Sequence, residues 1–191
     1  MYFSIKLQAG NATTFTYLKL GCDFLAYALI ETVADLISKL GLKQHPEGGF
    51  FVETFRSEHL VSLAKYKGSR NLCTIIYYLL VGEQFSSFHA IKSDEIWHFY
   101  LGSSVDLHLI RDDGTLDEVR LGTNVDEGEF FQVIVKANSW FAASVNDKSS
   151  FSLMGCTVTP GFDFRDWTLG DREKLSREYP QHKELIKKYS N

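Results

Sequence analysis

Short apolar or alternating runs, separated by glycine, dominate the chain from residue 50 to residue 158. Phe50-Phe51-Val52-Glu53-Thr54-Phe55-Arg56 and the run 72–81 carry the aromatic and β-branched content of strands. Further strands are expected near 86–91, 94–101, 105–111, 116–121, 130–136, 140–145 and 150–158. Gly82, Gly102, Gly114, Gly122 and Gly128 punctuate them, and Asp113-Gly114 is a hairpin-turn pair. His45-Pro46-Glu47-Gly48-Gly49 makes a sharp turn ahead of the first strand, and 59–71 reads as a loop. Many short strands with close turns predict an antiparallel barrel or sandwich rather than repeated strand–helix–strand units.

The hydrophobic period changes at both ends. Ile30, Val33, Ile37 and Leu40 recur at helical spacing, with Glu31, Asp35 and Lys39 between them, so a helix is expected over 24–40. Gly41 can end that helix in a left-handed conformation without a Cβ clash. Leu175 and Tyr179 before Pro180, with Leu185, Ile186 and Tyr189 after it, predict two short carboxy-terminal helices. Residues 1–23 hold scattered aromatics and no clear period. They read as an amino-terminal extension, able to add a strand to the main fold, ahead of a single domain over 24–191 with peripheral helices.

Composition narrows the partners. The 191 residues carry 20 basic and 24 acidic side chains, a net charge of −4, which argues against a polycationic nucleic-acid grip. The apolar stretch Phe24–Ile30 is bounded by Asp23 and Glu31 and is too short to cross a bilayer, so no membrane partner is expected. Cys22, Cys73 and Cys156 lie far apart and form no CxxC pair, against a disulfide scaffold or structural zinc cluster. Cys73 and Cys156 sit in apolar runs and read as buried thiols. No secretory leader is recognisable, so the Asn11-Ala12-Thr13 sequon carries no weight and a cytoplasmic location is the economical expectation.

Candidate chemistry gathers between Phe88 and Gly102. In a strand beginning near Asp94, Glu95, Trp97 and Phe99 face one way, while Ile96, His98 and Tyr100 face the other. An inward Glu95 among aromatics needs a cation, a metal or a hydrogen-bond partner. His89, on the preceding strand, could approach it across the turn, and the two could transfer a proton, ligate a metal, or simply fix the sheet. His98 and His108 fall on opposite faces from this pair and their neighbouring core, respectively. His45, in the turn, could contact a bound group or only position the loop. Trp97, Phe99, Trp140 and Phe141 are candidate stacking walls, equally suited to core packing. Arg70 and Lys92 are candidates to meet an anionic substituent, with surface roles as the alternative. Glu53 and Arg56 face opposite sides of an ideal strand and are not expected to pair.

The chain resembles the DUF985 or Cupin_5 family of small cupin-like proteins. The features that carry the resemblance are His45-Pro46-Glu47-Gly48-Gly49-Phe50, Arg70, Ser93-Asp94-Glu95-Ile96-Trp97-His98-Phe99-Tyr100, and Gly155-Cys156-Thr157-Val158-Thr159-Pro160-Gly161-Phe162-Asp163-Phe164, within 36–189. The resemblance implies an all-β dominated fold, a cupin double-stranded β-helix (jelly-roll barrel) with flanking helices, a cavity for a polar small molecule, and a homodimer. Gly82, His89, Glu95 and Gly102 follow the first general cupin motif, but Ile91 stands at its second His position and Phe141 at the His of the second motif. His89 and Glu95 are therefore the only candidate ligands for a divalent metal, an incomplete set, and no cofactor is assigned. The function implied is binding of a polar small molecule such as a sugar or nucleotide-sugar derivative. The alternatives are a metal-independent sugar epimerase or isomerase, with His89 as acid/base, Glu95 tuning it and Tyr78 or Tyr100 returning a proton, and a metal-dependent cupin enzyme. Whether the chain is an enzyme is left open by the sequence.

Overall fold

The structure is a computed structural model that describes residues 3–9, 12–18 and 33–190. Asn11, Cys22, the first part of the expected 24–40 helix, and the 23/24 boundary of the extension lie outside the described residues. Strands β1 (Phe3–Ala9) and β2 (Ala12–Leu18) pair with each other as a two-stranded antiparallel sheet. The remaining described residues form two larger open sheets with helices on their outer faces. Residues 33–40 form helix α1, and Gly41 follows it at φ 66°, the left-handed conformation expected there.

Strands β3 (Lys43–Gln44), β4 (Phe50–Arg56), β7 (Thr74–Val81), β9 (Asp94–Gly102), β12 (Gln132–Val135) and β14 (Phe151–Thr159) make a six-stranded sheet in the order β12-β9-β14-β7-β4-β3. Strands β8 (Phe85–Ile91), β10 (Val105–Ile110), β11 (Leu116–Leu121), β13 (Trp140–Val145) and β15 (Trp167–Leu169) make a five-stranded sheet in the order β11-β10-β13-β8-β15. The short strands β5 (Leu60–Val61) and β6 (Arg70–Asn71) pair within the expected 59–71 loop. Helices α2 (Arg172–Glu178) and α3 (Lys183–Lys188) end the chain, with Pro180 opening the single 3-10 turn between them.

The jelly-roll barrel implied by the resemblance is corrected here. A closed barrel needs every strand to have two ladder neighbours, whereas β11, β15, β12 and β3 each have one. The sheets instead face one another as an open sandwich, the other architecture that the strand pattern allowed. Alternation supplies the glue. Tyr78, Leu80, Trp97, Met154 and Cys156 of one sheet meet Leu107, Phe141, Ala143 and Val145 of the other in a single core. Outside it, α1 covers Leu79, Phe151 and Leu153, while α2 and α3 cover Phe88, Ile110 and Ala142 with Leu175, Ile186 and Tyr189. His108, expected on an outer face, is buried there, stacked on Tyr189 and 2.9 Å from Glu118.

Candidate functional site

Period-two alternation brings side chains from five strands to one end of the sandwich. In the six-stranded sheet, Trp97 stands opposite Cys156, Cys156 opposite Ile76 and Ile76 opposite Glu53. A parallel row runs Glu95, Val158, Thr74 and Arg56. His89 and Ile91 face these rows from β8. Together with His45, Glu47, Phe51, Tyr78, Phe162, Asp163 and Phe164, they line a cavity of about 310 Å³. That volume lies at the small end of ligand sites and suits a molecule of monosaccharide size.

The floor of the cavity is an acid–base cluster. His89 is buried, and its Nδ1 lies 2.8 Å from the Ser87 carbonyl oxygen, which can only accept, so Nδ1 carries the proton. Its other ring nitrogen, Nε2, lies 3.3 Å from Glu47 Oε1. Burial raises the pKa of the Glu47 carboxyl and lowers that of the His89 imidazole to about 4. Trp167 Nε1 donates to Glu47 Oε1 at 2.6 Å and Ser86 Oγ to Oε2 at 3.0 Å, holding the carboxyl in place. His45 Nδ1 accepts from the Glu47 backbone N–H at 3.3 Å, and burial lowers its pKa too.

Glu95 is the second buried carboxyl. Its pKa is raised to about 8, first by burial and then by the charge of Glu47, with smaller opposing effects from Cys156 and Trp97. It is therefore largely protonated at neutral pH and can donate. Tyr78 lines the same cavity, but its hydroxyl donates to the Gly48 carbonyl at 2.8 Å, and burial raises its pKa well above the ordinary phenol value.

Glu47 owes its place to backbone geometry. Gly48 (φ 115°) and Gly49 (φ 68°) adopt conformations that favour glycine, and a Cβ at either would collide with the backbone carbonyl of Phe85 or Leu79. Lacking side chains, the two glycines let the turn lie directly on β7 and β8, beside Ser86 and His89. At the cavity mouth, Arg56 reaches Glu53 through Nε (2.9 Å) and Nη2 (2.6 Å). This overturns the expectation that they face apart. A bulge between Glu53 and Phe55 inserts a residue into β4 and returns Arg56 to the side of Glu53.

His89, Glu95, Tyr78 and Trp97 thus share the cavity. Phe141, opposite His89 in the ladder, backs its ring with a centroid separation of 4.0 Å. The carboxyl in contact with His89 is Glu47, where Glu95 was expected. The other sequence candidates lie elsewhere. Phe99 faces inward but one row farther along, opposite Met154, and packs into the core. Tyr100 is on the outer face, 48% exposed, over Gly155 and beside Tyr77, because its position in the alternation is opposite to Trp97. Trp140 packs in the core beneath α2 and α3. Arg70 is fully buried away from the cavity, bonded to Asp166 at 2.5 and 2.9 Å and to three backbone carbonyls of 67–69. Lys92 lies outside as well, 3.9 Å from the same Asp166.

For a cupin-type metal, the donor set does not fit. Ile91 and Phe141 present hydrocarbon where imidazoles would be needed, and Glu47 is already engaged by Trp167 and Ser86. Among the described residues no group of three or more His, Cys, Asp or Glu is arranged to hold a metal ion. No helix among them is long and apolar enough to cross a membrane.

Fold and cavity together define a two-sheet β protein with a buried acid–base site at one end of the sandwich. The chain belongs to Cupin_5, described as Cupin superfamily (DUF985), whose model matches residues 34–170. An uncharacterized protein of Saccharomyces cerevisiae is 29% identical over 150 residues, 72% of this chain and 74% of that one. Among solved structures, a Shewanella oneidensis protein is 39% identical, with TM-score 0.75, covering 82% of this chain and 96% of its own. A hypothetical protein from Leishmania major is 33% identical, with TM-score 0.77, covering 82% and 97%.

Proposed function

We propose that the chain binds a small polar molecule, of about the size of a sugar, in the cavity over Glu47, His89, Glu95 and Trp97. The observation that carries this reading is the buried contact of His89 Nε2 with Glu47 Oε1, at 3.3 Å, on the floor of the cavity. A buried pair of this kind is costly unless it does something a hydrocarbon core would not. Aromatic walls at Phe51, Tyr78 and Trp97 suit the face of a ring, and the polar floor orients its substituents.

A second reading, metal-independent epimerisation or isomerisation, is favoured by one further observation: the cavity holds two separate proton carriers. Imidazole Nε2 of His89 would take a proton from carbon next to a carbonyl, and the Glu95 carboxyl would supply one. Arg70 and Lys92 offer nothing to a nucleotide diphosphate here, since both lie on Asp166 outside the cavity.

The experiment is a liganded crystal structure from a sugar and sugar-derivative screen, followed by deuterium exchange from solvent into the bound compound. Density in van der Waals contact with His89 and Glu95 supports binding. Exchange that is lost in His89→Ala, while affinity and the melting temperature persist, supports catalysis. Binding elsewhere on the surface, with this cavity filled only by water, refutes the site. Assembly as a homodimer is part of the same proposal. Exposed Phe130 and Phe131 beside edge strand β12, with Ile134 on it, provide apolar surface for a second copy, and a monomer by sedimentation at micromolar concentration refutes it.

A further inference from the structure

Charge around the cavity balances at its mouth and not at its floor. At the mouth, Glu53 holds Arg56 bidentately, and Asp163 is 2.6 Å from Arg165. On the floor, Glu47 and Glu95 have no Lys or Arg partner among the described residues. Among the described residues, Arg56 is the only Lys or Arg lining the cavity, and its charge is already met by Glu53. The remaining walls near the two carboxyls are aromatic, with Tyr78 and Trp97 edge to face at 5.6 Å and Phe51 beside them. Trp97 is 1% exposed, and its Nε1 lacks an acceptor in bonding geometry among the described residues. That N–H favours ionisation of Glu95. The cavity therefore contains a buried, unpartnered donor beside Glu95, and the ionised form of that carboxyl would be its stronger acceptor.

Carboxyl groups framed by aromatic faces are the chemistry that recognises an organic cation. An anionic ligand would meet two carboxyls and no available positive charge. Resting on the reading that this cavity binds a small molecule, we infer that its ligand is an organic amine on a polar body, such as an amino sugar, with its ammonium group between Glu47 and Glu95 and against Trp97.

The proton inventory follows from the groups that face Glu95: Glu47 from the turn, Tyr78 on β7, His89 on β8 and Cys156 on β14. Tyr78 and Cys156 are pushed further from ionisation by burial and stay neutral. Glu95 is the group a cation would ionise. The amine keeps its proton, and the carboxyl proton leaves to solvent.

The test is isothermal titration at pH 7 with glucosamine, glucose and glucose 6-phosphate, in two buffers of different protonation enthalpy. Glucosamine is expected to bind at least about tenfold more tightly than glucose, the equivalent of about one pKa unit of interaction, and to release up to about one proton. Glucose is expected to release none. Glu95→Gln, checked for folding by its melting curve, is expected to lose both the tenfold preference and the proton release. Glucose or its phosphate binding as tightly as glucosamine overturns the cationic assignment and leaves small-molecule binding standing. Failure of all three, and of choline, to bind overturns both.

Discussion

Glu95 and His89 face the same cavity, and burial favours the neutral form of each, so their pKa values move in opposite directions. The consequence is a pH dependence of stability that belongs to individual residues. The Glu95 pKa rises from 4.5 to about 8 on folding. Between those values the folded state holds a proton that the unfolded state has lost, so stability falls as pH rises. The His89 pKa falls from 6.5 to about 4, so between those values the unfolded state holds the extra proton and stability rises with pH. From pH 4.5 to 6.5 the two slopes oppose each other. From pH 6.5 to 8 the Glu95 slope is left without that opposition, at up to about 1.4 kcal/mol per pH unit. Chemical denaturation is expected to show the wild type losing about 2 kcal/mol over that interval. Glu95→Gln, which cannot titrate, removes that loss. Equal slopes in the two proteins would mean that Glu95 is ionised in the folded state at neutral pH.

At the scale of elements, the turn that carries Glu47 matters more to the cavity than its length suggests. Replacing Gly48 by Ala forces a φ of 115° on a residue with a side chain and drives its Cβ into the Phe85 carbonyl. The turn must lift, taking Glu47 away from Ser86, Trp167 and His89. The expected result is a loss of about 1–3 kcal/mol together with a His89 titration, followed by NMR, that moves toward the ordinary imidazole range. A destabilised variant with an unchanged His89 titration would show that the turn does not set the pair. Legibility in the sequence divides along the same line. Glu95 and Trp97 are legible as sharing a side because strand alternation alone decides it, and the same rule sets Tyr100 on the other. Glu47 was not readable as a site residue because it sits in a turn with no period. The informative signal was Gly48-Gly49, whose closeness to β7 and β8 emerges only once those strands are in place. Arg56 was misread because a bulge resets alternation. Strand β15, only three residues long, gave no run to recognise. The barrel came with the family resemblance; the strand pattern alone leaves barrel and sandwich open, because alternation marks which face of a strand is buried and is silent on which strands are ladder neighbours.

For the molecule as a whole, the carboxy-terminal segment connects the site to the outer layer. Strand β15 pairs with β8 through Trp167 opposite Ile91 and Leu169 opposite His89, and Trp167 also donates to Glu47. Beyond it, α2 and α3 seal the outer core with Leu175 and Ile186. One segment thus performs two separable tasks, and two substitutions should separate them. Ile186→Ala removes fully buried hydrocarbon about an outer core that does not reach the cavity, and it is expected to cost about 2–5 kcal/mol without moving the Glu47 titration. Trp167→Phe keeps a ring but deletes the N–H, leaving a buried carboxyl oxygen short of a donor at a cost of about 1–3 kcal/mol. Because that bond favours the carboxylate, its loss should shift Glu47 further upward, measured by carbon-13 NMR of the labelled carboxyl. If Ile186→Ala moved Glu47 as much as Trp167→Phe does, the outer helices would be coupled to the cavity through the sheet, and the two tasks would be one.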